Sequence, residues 1–225
     1  MSTQHDTVLN AEGIAKSYDR GHRAVLEDIT LDVHRHEVIA IVGPSGAGKS
    51  TLLNVLGLLD TPDAGAYTLM GTDTRAARTS LDVLRGRHIG FVFQDSHMLP
   101  SRTFAENVAL ALPPTSVPSN DRSSRVDRAL SAVGLSHIAG ARASTLSGGE
   151  RQRAALARAV VKEPDLVLAD EPTGNLDPEN SGVVVDLLRR EAARGAGIVI
   201  ITHDHHLAAE CDRTLVLSHG RLEPA

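Results

Sequence analysis

The stretch "VIAIVGPSGAGKSTLLNVLGLL", Val38 to Leu59, constrains the fold more than any other part of the chain. Val38 to Val42 is an unbroken apolar run of strand length, the pattern of a parallel strand buried on both faces. It stops at a turn in which three of six residues are glycine, and Lys49 then opens a helical pattern. A glycine turn between a buried strand and a helix leaves bare backbone N–H groups at a helix N-terminus, and these suit an anion. "GPSGAGKS", Gly43 to Ser50, fits the Walker A pattern. Its physics assigns Gly43, Pro44, Ser45, Gly46, Ala47 and Gly48 to wrapping phosphates, Lys49 to the terminal phosphates and the Ser50 hydroxyl to Mg²⁺, with Thr51 next in the turn.

Two further apolar runs end in polar groups. "LVLA", Leu166 to Ala169, leads to Asp170 and Glu171, and "IVII", Ile198 to Ile201, leads to Thr202 and His203. Open α/β sheets present functional groups at the carboxyl ends of their strands. Asp170 is expected to hold Mg²⁺ through water. Glu171, one residue on, points elsewhere and is placed to orient or deprotonate an attacking water. The alternative for both is a plain polar loop after a buried strand. "VLNAEGIAKSY" and "LEDITLDVHRHEVIA" alternate like antiparallel strands, so a mixed sheet with an antiparallel edge is expected.

From about residue 95 to 164 the spacing becomes helical in "TFAENVALAL", "SSRVDRALSAVGL" and "GERQRAALARAVV", with "PPTSVPSNDR" as a surface loop. The expected fold is α/β, one domain over 1–225. A core at about 1–94 and 165–225 is interrupted by a helical subdomain at about 95–164. Within the latter, "TLSGGERQR" reads as a helix start, with Ser147 as N-cap and Glu150 completing a capping box. Gly148 and Gly149 in the first turn weaken the helix by up to about 1 kcal/mol each. They leave N–H groups open to a second anion.

"LSGGERQR", "GPSGAGKST" and "LADEPTGNLD" together resemble the ATP-binding subunits of ABC (ATP-binding cassette) transporters, over nearly the whole chain. The resemblance implies a P-loop NTPase (RecA-like) core, ATP and Mg²⁺ as cofactors, and ATP hydrolysis by Glu171, His203 and Lys49. It also implies that Gln94 touches Mg²⁺ and senses a membrane partner, that Asp177 reports across to an opposite site, that His203 contacts the γ-phosphate and that adenine stacks on Tyr18. Two chains would pair head to tail as a homodimer. Each ATP would lie between one Walker A loop and the Ser147, Gly148 and Gly149 of the other chain. The force would act on an integral membrane permease, from the cytoplasm, at the inner face of the cell membrane. "IGFVFQDSHMLPSRTFAENVALAL" is most similar to the group of lipoprotein-releasing, macrolide- and peptide-exporting systems, several of which work by a mechanical stroke. Regulation of a cell-wall enzyme through a membrane partner, or a soluble ABC ATPase, are the alternatives.

The bland readings stay beside these. Tyr18 could cover a sheet edge, and Gln94 could be an ordinary loop residue. Met98, Leu99 and Phe104 either meet the permease or fill the core of the helical insertion. Arg151, Arg153 and Arg158 are expected to form a solvated face with ion pairs. The "HDHH" cluster matches no zinc pattern. Composition narrows the partners. A net charge of -5 and a pI near 6.1 do not suit a nucleic-acid binder. The lone Cys211 excludes an intrachain disulfide, fits a reducing compartment and is expected to be a small buried apolar residue. "MSTQHDTVLNAEG" is not expected to be a signal peptide. No apolar run approaches the roughly 18 residues of a membrane helix, so another chain must cross any membrane this one serves.

Overall fold

The computed structural model describes residues 6–19, 23–76, 80–112, 117–174 and 176–225. Its centre is a six-stranded sheet in the order β10-β9-β3-β8-β7-β6. The apolar runs are its middle: β3 (Val38–Val42), β7 (Leu166–Asp170) and β8 (Gly197–Ile201). They run parallel with β6 (Ile89–Val92) and β9 (Arg213–Ser218). The antiparallel edge is β10 (Arg221–Pro224), folded back on β9. The N-terminal strands β1 (Thr7–Tyr18) and β2 (Arg23–His34) do pair antiparallel. They build a sheet of their own with β4 (Ala64–Leu69) and β5 (Thr72–Asp73), in the order β2-β1-β4-β5. Alternation in a sequence reveals antiparallel pairing but not which sheet receives it.

The parallel strands are buried on both faces, and the period of two divides them between two cores. Ile39, Ile41, Leu166, Leu168, Val199 and Ile201 pack toward α1 (Lys49–Leu56) and the antiparallel sheet. Val167, Ala169, Ile198 and Ile200 pack toward the helices on the other side. These are α3 (Phe104–Ala109), α4 (Ser119–Ala132), α5 (Gly148–Val160) and α6 (Pro178–Ala193). The short α2 (Leu81–His88) leads into β6, and α7 (His205–Ala209) follows β8. The helical segment therefore shares one apolar core with the sheet. The last four residues of the expected "PPTSVPSNDR" loop are helix: α4 begins at Ser119, and 113–116 lie outside the described residues.

Phe104 is fully buried and Met98 is nearly so, both within the core under the helices. They fill the insertion and cannot meet a partner. Leu99 is 45% exposed. The buried Asn107 fixes it by accepting from the Leu99 N–H at 2.8 Å and donating to the Leu99 carbonyl at 3.1 Å. The three arginines of α5 also depart from expectation. Arg158 donates to the carbonyls of Ser96 and His97, at 2.6 and 2.9 Å, Arg151 to that of Leu146, and Arg153 to the Asn180 side chain. Among the described residues they hold chain segments rather than forming ion pairs on a solvated face, because α5 packs against neighbouring segments both at its start, where Arg151 and Arg153 lie, and in its last turn, where Arg158 lies. Cys211 is half-buried, its thiol donates to the Leu207 carbonyl, and burial pushes its pKa up to about 11.

Candidate functional site

Strand register assembles the site. Ile41 of β3 and Asp170 of β7 both align with Ile201 of β8. The residues that follow these three strands, Gly43, Glu171 and Thr202–His203, therefore emerge together at the carboxyl edge. Two backbone bonds lock the edge: Glu171 N–H donates to Ile201 O at 2.8 Å and Thr202 N–H to Ile41 O at 3.2 Å.

The loop after β3 is tight. A Cβ on Gly43 would lie 2.2 Å from the Leu217 carbonyl oxygen, so only glycine fits. Gly48 caps α1 in the left-handed region, φ 103°. Lys49 folds its Nζ back onto the carbonyls of Gly43 and Pro44, at 2.7 and 2.9 Å. The first turn of α1 carries no acidic residue to compete with an anion.

Beside this loop lies a cleft of about 540 Å³. Its phosphate-loop wall is Gly43, Ser45, Gly46 and Gly48 to Thr51; Glu171 and His203 stand at one side, and Tyr18, Arg23 and Val25 at the other. Pro44 and Ala47 are not walls: the first offers its carbonyl to Lys49 and the second packs on the core. Glu171 sits in the left-handed region, φ 45°. Its Oε1 accepts from His203 Nδ1 at 2.8 Å, and its Oε2 from the Thr202 hydroxyl at 3.1 Å. The hydrogen bond to Glu171 raises the His203 pKa, while the imidazole stays 74% exposed. Asp170 stands beneath. Burial first, then the charge of Glu171, raise its pKa, and Lys49 opposes them. Its carboxylate has no hydrogen-bond donor among the described residues. The Asp170 carboxylate and the Ser50 hydroxyl on the cleft wall are hard oxygens, the donor chemistry that suits Mg²⁺.

The other expected site residues lie off this cleft. Gln94 is exposed after β6, about 4.0 Å from a Cβ built on Gly174. Ser147 caps α5 with the full capping box: its hydroxyl accepts from Glu150 N–H at 3.3 Å, and Glu150 Oε2 accepts from Ser147 N–H at 2.8 Å. Nothing lies within 4 Å of a Cβ built on Gly148. Asp177 caps α6 and accepts from both the N–H and the amide of Asn180, at 2.8 and 2.7 Å. Asn175 lies outside the described residues.

Three residues that organise these parts have no role in the motif reading, although Gln152 lies within "LSGGERQR". Gln152 donates to the carbonyls of Phe93 and Pro172, joining α5 to both the Gln94 segment and the turn after Glu171. Asn180 sits between Asp177, Arg153 and Gly149. Asp60 holds Tyr18. For Gln152 a signal existed: an amide on the same helical stripe as Ala155, Leu156 and Ala159, all buried.

A glycine loop and helix at the centre of a parallel sheet, with a carboxylate at the neighbouring strand end, define a P-loop nucleoside triphosphatase. Residues 26–174 match the family model for ABC transporters, and the chain belongs to that family. It is similar to the lipoprotein-releasing system ATP-binding protein LolD of Bordetella avium (strain 197N), 44% identical over 226 residues, which span 99% of this chain and 98% of that protein. The ABC transporter ATP-binding protein YknY of Bacillus subtilis (strain 168) is 40% identical over 221 residues, 97% of this chain and 96% of the relative. The ATP-binding cassette MJ0796, in a dimeric post-hydrolysis state bound to ADP and Pi, superposes with a TM-score of 0.86 at 32% identity, over 96% of this chain and 98% of that one. The chain is thus an ABC transporter ATP-binding subunit, an ATPase that binds ATP and uses Mg²⁺ for hydrolysis. Cassettes of its kind work with membrane partners, and no helix among the described residues is long and apolar enough to cross a membrane.

Proposed function

We propose that two copies of the chain close head to tail around two Mg·ATP, and that this closure drives an integral membrane permease. One observation carries the reading. The cleft at the phosphate loop has no wall from Ser147, Gly148 or Gly149. The capped start of α5, built to meet an anion, has none to meet within its own subunit. A second copy turned by a two-fold rotation would bring that helix start to the open side of the cleft, where its N–H groups and dipole favour a γ-phosphate.

In this arrangement Tyr18 lies under the base and Gly43 to Thr51 hold the phosphates. Ser50, Asp170 and Gln94 would hold Mg²⁺, which supplies neutralising charge to the phosphoryl group in transfer. Glu171 accepts a proton from the water that attacks the γ-phosphorus, and the β–γ bridging oxygen leaves with ADP. Lys49, His203 and the partner's signature residues stabilise charge on the transferring group. Hydrogen-bond geometry supports Glu171 and His203 as a unit: the carboxylate that would activate water already orients the imidazole. Asp177, next to the signature helix through Asn180, is placed to report closure to the opposite site.

The helices at about 95–164 act as a subdomain on a RecA-like core at about 1–94 and 165–225. The permease docks near Gln94 with Leu99 as its apolar anchor, so the chain works in the cytoplasm, peripheral to the inner face of the cell membrane. The likeness to a lipoprotein-releasing ATPase supports an exporter or mechanical-stroke system. The test is Glu171→Gln in size-exclusion chromatography. The variant is expected to hydrolyse ATP at a small fraction of the parent rate and to elute as a dimer in Mg·ATP but as a monomer in Mg·ADP. Parent-rate hydrolysis would remove Glu171 as the base. A strictly monomeric variant in Mg·ATP, even with the permease, would remove the sandwich.

A further inference from the structure

The cleft ends at Tyr18, the last residue of β1, 37% exposed. A ring at the end of a strand has torsions to lose, and a ligand that must order it binds more weakly than one that finds it set. Here the ring is already held. Its hydroxyl donates to Asp60 Oδ2 at 2.9 Å, and the Lys16 ammonium lies over the ring, 5.4 Å from its centroid. Lys16 is itself fixed, donating to Asp60 Oδ1 and to the Thr61 carbonyl, both at 2.7 Å. Between them Ser17 donates its N–H and hydroxyl to Asp63 Oδ2, at 2.7 and 2.8 Å. The turn 60–63 thus grips three consecutive residues at the end of β1.

The position of Asp60 gives this grip a purpose. It lies just past α1, and both Leu59 and Asp60 donate their N–H groups to the Asn54 carbonyl, at 2.8 and 3.1 Å. The same helix opens at Lys49 on the phosphate loop. One short rigid element therefore carries the phosphate-binding turn at its start and the acceptor for the Tyr18 hydroxyl just beyond its end. Tyr18 is a wall of the cleft and Lys16 is not, so the ammonium leaves the cleft side of the ring open.

We infer that Asp60, with Lys16, is a positioning residue for the nucleotide site: it fixes the Tyr18 ring at a set distance from the phosphate loop, so that the base meets a pre-ordered face. The inference rests on the reading of Tyr18 as the ring under the base. Hydrogen bonds from Lys16 and Tyr18, with Lys16 the stronger cause, hold the Asp60 carboxyl below its ordinary range, in keeping with a permanently charged acceptor.

The experiment compares Tyr18→Phe, Asp60→Ala, the double variant and Tyr18→Ala in equilibrium titrations with Mg·ATP and with inorganic tripolyphosphate, which has no base. Tyr18→Phe keeps the ring and removes only the hydroxyl, so it remains informative should Asp60→Ala strand the Lys16 charge and fail to fold. Each single variant is expected to weaken Mg·ATP by about three- to tenfold, the cost of ordering one side chain on binding. The double variant should be no weaker than the weaker single, and tripolyphosphate affinity should not change. Tyr18→Phe and Asp60→Ala binding Mg·ATP like the parent, while Tyr18→Ala is weakened, would overturn the positioning role and leave the stacking role intact. Tyr18→Ala binding like the parent would overturn both. Equal losses for ATP and tripolyphosphate would also overturn the inference, since they would report general damage to the loop.

Discussion

Gln152→Leu isolates the bond by which the signature helix holds the rest of the site. Gln152 is 5% exposed, and the two protons of its Nε2 serve two carbonyls, Phe93 O at 3.1 Å and Pro172 O at 3.4 Å. Leucine keeps much of the shape and removes both donors. Two lost bonds cost about 1 kcal/mol each, and the carbonyls left dry add to this, while extra apolar burial returns up to about 1 kcal/mol. The net loss is about 2–3 kcal/mol. In a chain of this size each kcal/mol moves the midpoint by about 2–4 °C, so thermal unfolding should fall by roughly 4–12 °C. Gln152→Glu sharpens the test. A carboxylate would face two acceptors, and only its protonated form can donate, so folding raises its pKa above the unfolded value near 4.3. The folded state then binds more protons than the unfolded, and stability falls as pH rises. Gln152→Glu should lie close to Gln152→Leu at about pH 5 and below it at about pH 8. Scanning calorimetry of the three proteins at both pH values decides the matter. A midpoint for Gln152→Leu within about 1 °C of the parent, or a pH-independent Gln152→Glu, would refute the reasoning.

Gly148→Ala separates the fold from the assembly. Nothing lies within 4 Å of the added Cβ, and alanine favours the helix by up to about 1 kcal/mol, so the monomer should melt no lower than the parent. The same methyl stands before the bare N–H groups. ATP-dependent dimerisation in the Glu171→Gln background should therefore weaken in analytical ultracentrifugation, and an unchanged dimer constant would count against the interface. Asp165 concerns acid stability. The hydrogen bond from His88 at 2.7 Å, then that from Arg35 at 3.0 Å, hold its carboxyl below the ordinary aspartate range. Its contribution is complete above the unfolded pKa and is lost as pH falls through the folded one. In urea titrations the gap between parent and Asp165→Asn should be constant above about pH 5 and shrink below it; a gap still unchanged at about pH 2, below the unfolded pKa, would show that the carboxylate is not the source.

What was legible in the sequence is what short-range physics decides. Val38–Val42 is a strand from its first residue to its last, because five apolar residues before a glycine turn leave few alternatives. The Ser147 cap formed as read, because a capping box spans only three residues. Ties between distant segments left no such mark. Tyr18 meets Asp60 across 42 positions, Gln152 reaches Phe93 across 59, and Arg153 finds Asn180 across 27. No periodicity constrains such pairs. The α5 arginines were misplaced for the same reason: Arg151 and Arg158 bind backbone carbonyls, which every residue has, and Arg153 binds a distant amide side chain, so residue types point to no partner. A polar side chain on a buried helical stripe is the one local sign of a long-range tie. Asn107 lies three residues from Phe104 and beside Val108, both fully buried, and Gln152 is flanked in the same way. An amide there must find partners or cost the fold several kcal/mol by the scale of burying an unpaired polar group, typically about 1–3 from protein variants and more by transfer to hydrocarbon. Each of the two spans a junction, Asn107 at Leu99 and Gln152 between the Gln94 segment and the turn after Glu171. Buried amides on helix faces therefore point to the joints between the functional loops, even where they cannot say which loops those are.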